Sequence, residues 1–193
     1  MMPWMLRSLF ICVALLFAAA HPPAIATEPD DAWKIWQSDG VHALMRHAIA
    51  PGTGDPANFT LGDCTTQRNL DATGQDQARQ AGDRIREMGI KVDTILTSQW
   101  CRCLETAQLL DLGSPTEEPA LNSFFQDRST RTQQTEQIKQ RLVEIPDGQK
   151  VVLVTHQVNI TALTDIFPRS GEIILFRLNN NGNDVEVLGR IMP

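Results

Sequence analysis

Val41-His42-Ala43-Leu44-Met45-Arg46-His47-Ala48 is the stretch from which the fold can be read. Val41 to Met45 reads as a short buried strand. It delivers Arg46 and His47 at its C-terminal end, and a loop rich in Pro and Gly follows (Pro51, Gly52, Gly54, Pro56). In open α/β sheets, ligands bind just outside the carboxyl ends of the strands. A guanidinium beside an imidazole at that place suits a phosphate. The guanidinium fork grips and neutralises the oxygens, and a neutral imidazole can attack phosphorus.

Two further stretches end in the same way. Val92 to Thr97 (VDTILT) is predicted to be a strand, after which Ser98 caps a helix from Gln99 to about Leu110 that carries Arg102 near its start. Lys150 to Thr155 (KVVLVT) is a continuous apolar run of the kind found in central parallel strands, and His156 stands directly after it. In a parallel sheet these strand ends share one edge. Arg46, His47, Arg102 and His156 are therefore expected to converge on one pocket although they are far apart in sequence.

The rest of the chain fits this frame. Ala48 to Asn69 is a connection longer than compact domains usually carry, and such loops are commonly functional. A helix is predicted from Asp71 to about Met88, with Ala78, Ala81, Ile85 and Met88 at helical spacing and Gly89 as its stop. Asp111 to Pro119 reads as a loop, Ala120 to Phe125 as a segment with a buried Phe124-Phe125 patch, and Thr130 to Glu144 as an amphipathic helix. A helix over Asn159 to Ile166 follows. Gly171 to Leu178 and Val185 to Ile191 flank the turn Asn179 to Asn183 and read as a hairpin. Strands alternating with helices predict an α/β fold, a three-layer sandwich with a mainly parallel central sheet. With 193 residues the chain suits one domain, placed here at 41–193. The lead-in 27–40 holds Trp33 and Trp36 at a spacing that suits a short helix pinned to the body. His42 has no motif partner and reads as structural.

The first residues are set apart from the fold. Arg7 precedes an apolar run, Ser8 to Ala20, that is short for a bilayer span, and Ala24-Ile25-Ala26 places small residues before a cut. Residues 1–26 are expected to be a cleaved signal peptide, with no stable membrane span after cleavage and a periplasmic or secreted location. Phe10-Ile11 before Cys12 argues against a lipoprotein cut there. The net charge of −6, made more negative by loss of Arg7, argues against nucleic acid as a partner. Cys64, Cys101 and Cys103 remain. In an oxidising compartment Cys64 is expected to bond Cys101 or Cys103, with Cys101 the first choice. The absence of CxxC and HxxxH spacing speaks against a zinc site.

Arg46-His47-Ala48, then Ser98, Arg102 and Thr106-Ala107, then Thr155-His156 stand in an order that resembles the histidine phosphatase superfamily, which contains the cofactor-dependent phosphoglycerate mutases and the histidine acid phosphatases. The resemblance runs from Val41 to the end of the chain, and the small size is similar to compact bacterial members such as phosphohistidine phosphatases and lipopolysaccharide heptose phosphatases. It implies a two-step phosphoryl transfer. His47 attacks a phosphomonoester, water then hydrolyses the phosphohistidine, and Arg46, Arg102 and His156 hold the phosphoryl oxygens. Such a set supplies positioning and charge, so no metal or other cofactor is expected. An Asp or Glu bonded to His47 would fix its tautomer.

The chain departs from the family pattern in three places. Ala48 replaces a Gly. Ser123 stands near the place of a family Glu acid, and Gln157 stands where the acid phosphatase branch has an Asp, so no proton donor carries over. Asp63 in the long loop is the candidate for that role, and Arg68 and Gln157 are candidates for contact with the phosphate. A disulfide from Cys64 to the Arg102 helix would lock the long loop over the pocket. The expected partner is a small-molecule phosphate ester or a phosphorylated envelope component. The rival from another class is a catalytically weak relative that binds a phosphorylated ligand or partner protein; a mutase and a metallohydrolase stand behind it.

Overall fold

The computed structural model describes residues 29–179 and 184–193. The expected signal peptide at 1–26 and most of the turn expected at Asn179 to Asn183 lie outside the described residues. One sheet is formed by β1 (His42–Arg46), β2 (Thr94–Thr97), β3 (Thr116–Glu117), β4 (Val151–Thr155), β5 (Ile173–Leu178) and β6 (Val185–Ile191), in the order β3-β2-β4-β1-β5-β6. The pairs from β3 to β1 are parallel, and β5 and β6 add an antiparallel edge. The helices are α1 (Pro29–Gln37), α2 (Ala72–Glu87), α3 (Cys101–Leu109), α4 (Arg131–Val143) and α5 (Gln157–Thr164).

The period-2 geometry of the strands sorts the core into two layers. Ala43, Met45, Val152, Val154, Ile173 and Leu175 pack with Trp36 of α1, Ala81 and Ile85 of α2 and Ala107 of α3. Their neighbours in the strands, Leu44, Leu153, Ile174 and Phe176, pack on the other face with Ile138 and Leu142 of α4 and Ile160 and Leu163 of α5. The result is the expected three-layer sandwich with a mainly parallel sheet. Trp33 and Trp36 are stacked with ring centroids 5.9 Å apart and pin α1 to the body.

Several local expectations are corrected. The Asp111–Pro119 segment contains β3, whose Leu96↔Thr116 pairing extends the sheet by only two residues and leaves no period to read. The helix after His156 begins at Gln157 and ends at Thr164, two residues earlier at each end than expected; His156 is its N-terminal flanking residue. Phe124 is buried, whereas Phe125 is exposed. The helix that carries Arg102 starts at Cys101 with Trp100 in the capping position, because Ser98 is engaged elsewhere.

The path from β1 to α2 depends on one glycine. Asp71 accepts a hydrogen bond from the Gly74 backbone N–H at 2.8 Å and caps α2. A Cβ at Gly74 would stand 1.9 Å from the Ile49 carbonyl oxygen, so only glycine lets α2 lie against the chain that leaves His47. Among the described residues, no helix is long and apolar enough to cross a membrane.

Candidate active site

Parallel pairing of β1 and β4 sets Arg46 opposite Thr155, and the His47 backbone N–H continues the ladder by donating to the Thr155 carbonyl at 2.9 Å. The residues that follow each strand, His47 and His156, are thereby brought side by side. Their rings meet edge to face with centroids 5.5 Å apart. Arg102 enters from the first turn of α3, and its position is tied to β1 by Thr106. The Thr106 hydroxyl donates to the Arg102 carbonyl at 2.6 Å and accepts from the Ala48 backbone N–H at 3.0 Å. The Thr of the second sequence element thus joins α3 to the turn that carries His47.

The two histidines and Arg102 are almost fully buried, at 2%, 3% and 3% exposure. His47 Nδ1 lies 2.8 Å from the carbonyl of Ala48, so Nδ1 carries the proton and Nε2 keeps its lone pair. The expected Asp or Glu partner of His47 is therefore replaced by a backbone carbonyl one residue away. Arg102 Nε donates to His47 Nε2 at 3.3 Å, and an Arg102 terminal nitrogen donates to His156 Nδ1 at 3.4 Å. His156 Nε2 donates to the Ser98 hydroxyl at 2.9 Å, which in turn donates to Asn122 Oδ1 at 3.1 Å. This is why Ser98 does not act as a simple helix cap: its oxygen orients His156. Burial, then the charge of Arg102, hold the pKa of both histidines well below the usual imidazole range. Both rings are neutral at neutral pH, as a nucleophilic imidazole must be.

The cleft above these groups encloses about 220 Å³ and is lined by Arg46, His47, Arg68, Arg102, His156 and Gln157, among others. All four residues expected to converge do so, and Arg68 and Gln157 join them. Arg46 donates to the Pro168 carbonyl at 2.9 Å, while its buried Nε has no hydrogen-bond partner. Burial, and the like charge of Arg102, lower its pKa. An unpaired donor of this kind in a cationic cleft suits an anionic oxygen. Arg68 spends part of its fork on the loop itself, donating to the carbonyls of Ala50 and Gly54.

Asp63 is not brought to the cleft. Its carboxylate caps the short turn Cys64–Thr66 and accepts from the Thr65 backbone N–H and hydroxyl, at 3.0 and 2.7 Å. The carboxylate that does line the cleft is Asp55, which sequence reasoning passed over. Its side chain is 5% exposed, and it meets Arg102 at 2.5 Å and Trp100 Nε1 at 3.0 Å. Its only signal in sequence is its place between Gly54 and Pro56 in the loop that follows Arg46-His47.

The long loop is fastened to α3 at two points. Cys64 and Cys101 form a disulfide, and Gln67 Oε1 accepts from the Cys101 backbone N–H at 3.0 Å. Cys103 is a buried thiol 3.4 Å from His156 Nε2, and burial pushes its pKa up to about 12. Among the described residues there is no group of three or more His, Cys, Asp or Glu placed to hold a metal. The positive charge at the cleft is guanidinium.

Among solved structures, the protein histidine phosphatase SixA complexed with tungstate aligns with a TM-score of 0.57 at 17% identity, over 79% of this chain and 97% of that one. A protein described as a putative alpha-ribazole-5'-P phosphatase from Escherichia coli K-12 aligns with a TM-score of 0.59 at 18% identity, over 79% and 96%. Phosphoserine phosphatase in complex with 3-phosphoglyceric acid from Entamoeba histolytica aligns with a TM-score of 0.57 at 14% identity, over 79% and 97%. At these identities the likeness is one of fold. No curated protein gives a significant match. Residues 43–124, which carry Arg46, His47, Asp55, Arg68 and Arg102, match the histidine phosphatase superfamily (branch 1), and the chain has a histidine phosphatase-like fold.

Proposed function

We propose that this chain is a phosphatase that hydrolyses phosphomonoesters through a phosphohistidine on His47, without a metal, outside the cytoplasm. The observation that carries the reading is a neutral, buried imidazole whose unprotonated Nε2 accepts from Arg102 Nε at 3.3 Å in a cleft that Arg46 and Arg68 also line. A nucleophile and its charge clamp are already in contact.

His47 Nε2 attacks phosphorus, and the bond from phosphorus to the leaving oxygen breaks. Arg102 and the unpaired Nε of Arg46 take the equatorial oxygens, where charge develops. Burial, then repulsion from Arg102, keeps His156 neutral; a bound dianion offsets that repulsion, so His156 Nδ1 can take a proton and donate to an oxygen. Water then attacks the phosphohistidine, phosphate leaves, and His47 is restored as the neutral ring. Asp55 is held by Arg102 and Trp100, so the reading favours leaving groups that need little protonation, such as phenolates or phosphohistidine. Structural neighbours described as a protein histidine phosphatase and a putative phosphohistidine phosphatase support the second of these. The signal-like residues 1–26 and the Cys64–Cys101 disulfide support action in an oxidising compartment, where a phosphorylated envelope component is within reach.

The test is phosphate release from an aryl phosphate in EDTA by wild type and His47→Ala. Loss only in the variant, with an acid-labile phosphoenzyme trapped only in wild type, supports the reading. Activity in both places the nucleophile elsewhere. One observation favours a second reading, a catalytically weak binder of phosphorylated ligands: the carboxylate of Asp55 already sits on Arg102. Phosphate affinity with no turnover at any pH would move that reading to first place.

A further inference from the structure

The inner end of the cleft is cationic, and its mouth is apolar. The large hydrophobic side chains most exposed among the described residues include two aromatic rings, Phe125 at 42% and Phe167 at 70%, and both border this cleft. Single exposed apolar residues are ordinary on any surface. Two phenylalanines from separate segments at one opening are not scatter, and such a patch beside polar groups marks a binding surface.

Each ring is tied to the phosphoryl machinery. Phe167 precedes Pro168, whose carbonyl accepts from Arg46 at 2.9 Å. Phe125 lies against the glycine loop that holds Asp55: a Cβ at Gly54 would meet Phe125 Cε1 at 3.8 Å. Val158, Gln157, Ser123 and Thr53 complete the lining without charge. The cations of the lining are each engaged in part, and their open donors serve the phosphoryl group. Arg102 is paired with Asp55, Arg68 is bound to the carbonyls of Ala50 and Gly54, and Arg46 is held at Pro168. Among the described residues that line the cleft these three are the only cations, so a second anionic group on a substrate would compete with the phosphoryl group for them. The cleft volume of about 220 Å³ is also below the ~300–1,000 Å³ of pockets that enclose a whole drug-sized ligand. The leaving group therefore extends across the opening, where the rings stand.

Resting on the phosphatase reading, we propose that Phe125 and Phe167 form the leaving-group subsite. The substrates are phosphomonoesters whose alcohol or phenol carries an uncharged apolar group the size of a ring. Esters that carry a carboxylate or a second phosphate are disfavoured.

Two alkyl esters with leaving alcohols of similar acidity, 2-phenylethyl phosphate and ethyl phosphate, separate apolar recognition from leaving-group chemistry. In wild type we expect kcat/KM to favour the phenylethyl ester by about tenfold or more, the scale of a small apolar contact in a binding site. 3-Phosphoglycerate should be no better than ethyl phosphate. In Phe125→Ala/Phe167→Ala the preference falls toward one. Binding of benzylphosphonate against methylphosphonate, which cannot be hydrolysed, repeats the comparison without turnover, and the same variant should erase the difference. Equal handling of the two esters and of the two phosphonates by wild type overturns the proposal, as does a preference that survives the double substitution or one for 3-phosphoglycerate. Phosphonate selectivity lost in the variant, with no turnover of these esters or of an aryl phosphate, sinks the phosphatase reading and sustains the subsite. Turnover with no apolar preference does the reverse.

Discussion

The floor and the wall of the cleft are built by different forces. The floor is the ends of β1 and β4 and the start of α3, fixed by parallel ladder bonds and by a core that packs Met45, Val154 and Ala107 together. The wall is the Ala48 to Asn69 loop. Few of its side chains are buried, and it is held by a disulfide, the Gln67 bond to α3, the Arg68 bonds to its own carbonyls and the Asp55–Arg102 pair. The floor places the reactive groups, and the wall determines how Arg102 is held while they wait. The two regions should thus fail differently. Changes in the floor remove chemistry and leave most of the fold intact; changes in the wall cost stability and alter anion binding.

The largest effect is expected from His47→Ala. On the phosphatase reading, loss of the proposed nucleophile should lower phosphate release by about 10³-fold or more, equivalent to about 4 kcal/mol of barrier. Urea denaturation should show a much smaller change, because the ring's polar contacts are one bond to its neighbour's carbonyl and one from Arg102. If the variant unfolds as readily as a wall variant does, the floor is not the independent scaffold described here.

Asp55→Ala tests the wall. The pair is buried on both sides, at 5% and 3% exposure, so removal of the carboxylate leaves Arg102 charged and without its main partner. The expected cost is about 3–5 kcal/mol in a denaturant titration. Inorganic phosphate can replace the lost anion, so added phosphate should stabilise Asp55→Ala more than wild type. Equal stabilisation of both proteins would show that Asp55 and the phosphoryl group do not share Arg102.

The same contrast governs what sequence could reveal. Strand β1 and strand β4 are apolar runs that end in charged or titratable residues, and the convergence of Arg46, His47, Arg102 and His156 follows from parallel pairing alone. The wall lacks such a period. Asp63 and Asp55 are both aspartates next to glycine in one loop, and only the folded path shows that Asp63 caps a turn while Asp55 reaches Arg102. The tautomer of His47 was equally hidden, because its partner is a backbone carbonyl and carries no side-chain signature. Ser98 looked like a cap from its position before a helix; its use to orient His156 depends on Asn122, 24 residues away.

Cys64→Ser sharpens the comparison at lower amplitude. The disulfide closes a segment of 37 residues, for which chain entropy predicts a loss of about 2–4 kcal/mol when it is removed. Gln67 still binds the start of α3, so the wall should loosen while the floor holds. Proteolysis should then cut first between Ala50 and Arg68, and the affinity for inorganic phosphate should fall less than stability does. Cleavage elsewhere would mean that the loop does not depend on this link.

The smallest effect concerns pH and divides the histidines of one strand and its extension. His42 and His47 both bind protons more weakly in the folded chain than an ordinary imidazole. Burial, then the charge of Lys150, takes His42 down to about 4, and burial, then Arg102, takes His47 well below the usual range. A folded-state pKa below the unfolded 6.5 makes no contribution above that pH. As pH falls below 6.5 the unfolded chain takes protons that the folded chain refuses, and stability declines until the folded-state pKa is reached. The thermal midpoint should therefore be flat above pH 7 and fall from 6.5 toward 4. Phosphate should flatten the share due to His47 and His156, because a bound anion offsets the guanidinium charge beside them. It should leave the share due to His42, whose ring lies against Phe176 and whose Nδ1 accepts from the Val151 backbone N–H at 3.3 Å, within the sheet and outside the cleft lining. His42→Asn should remove only that second share. A slope that phosphate abolishes in full would locate all of the titration in the floor of the cleft and leave none to the strand that supports it.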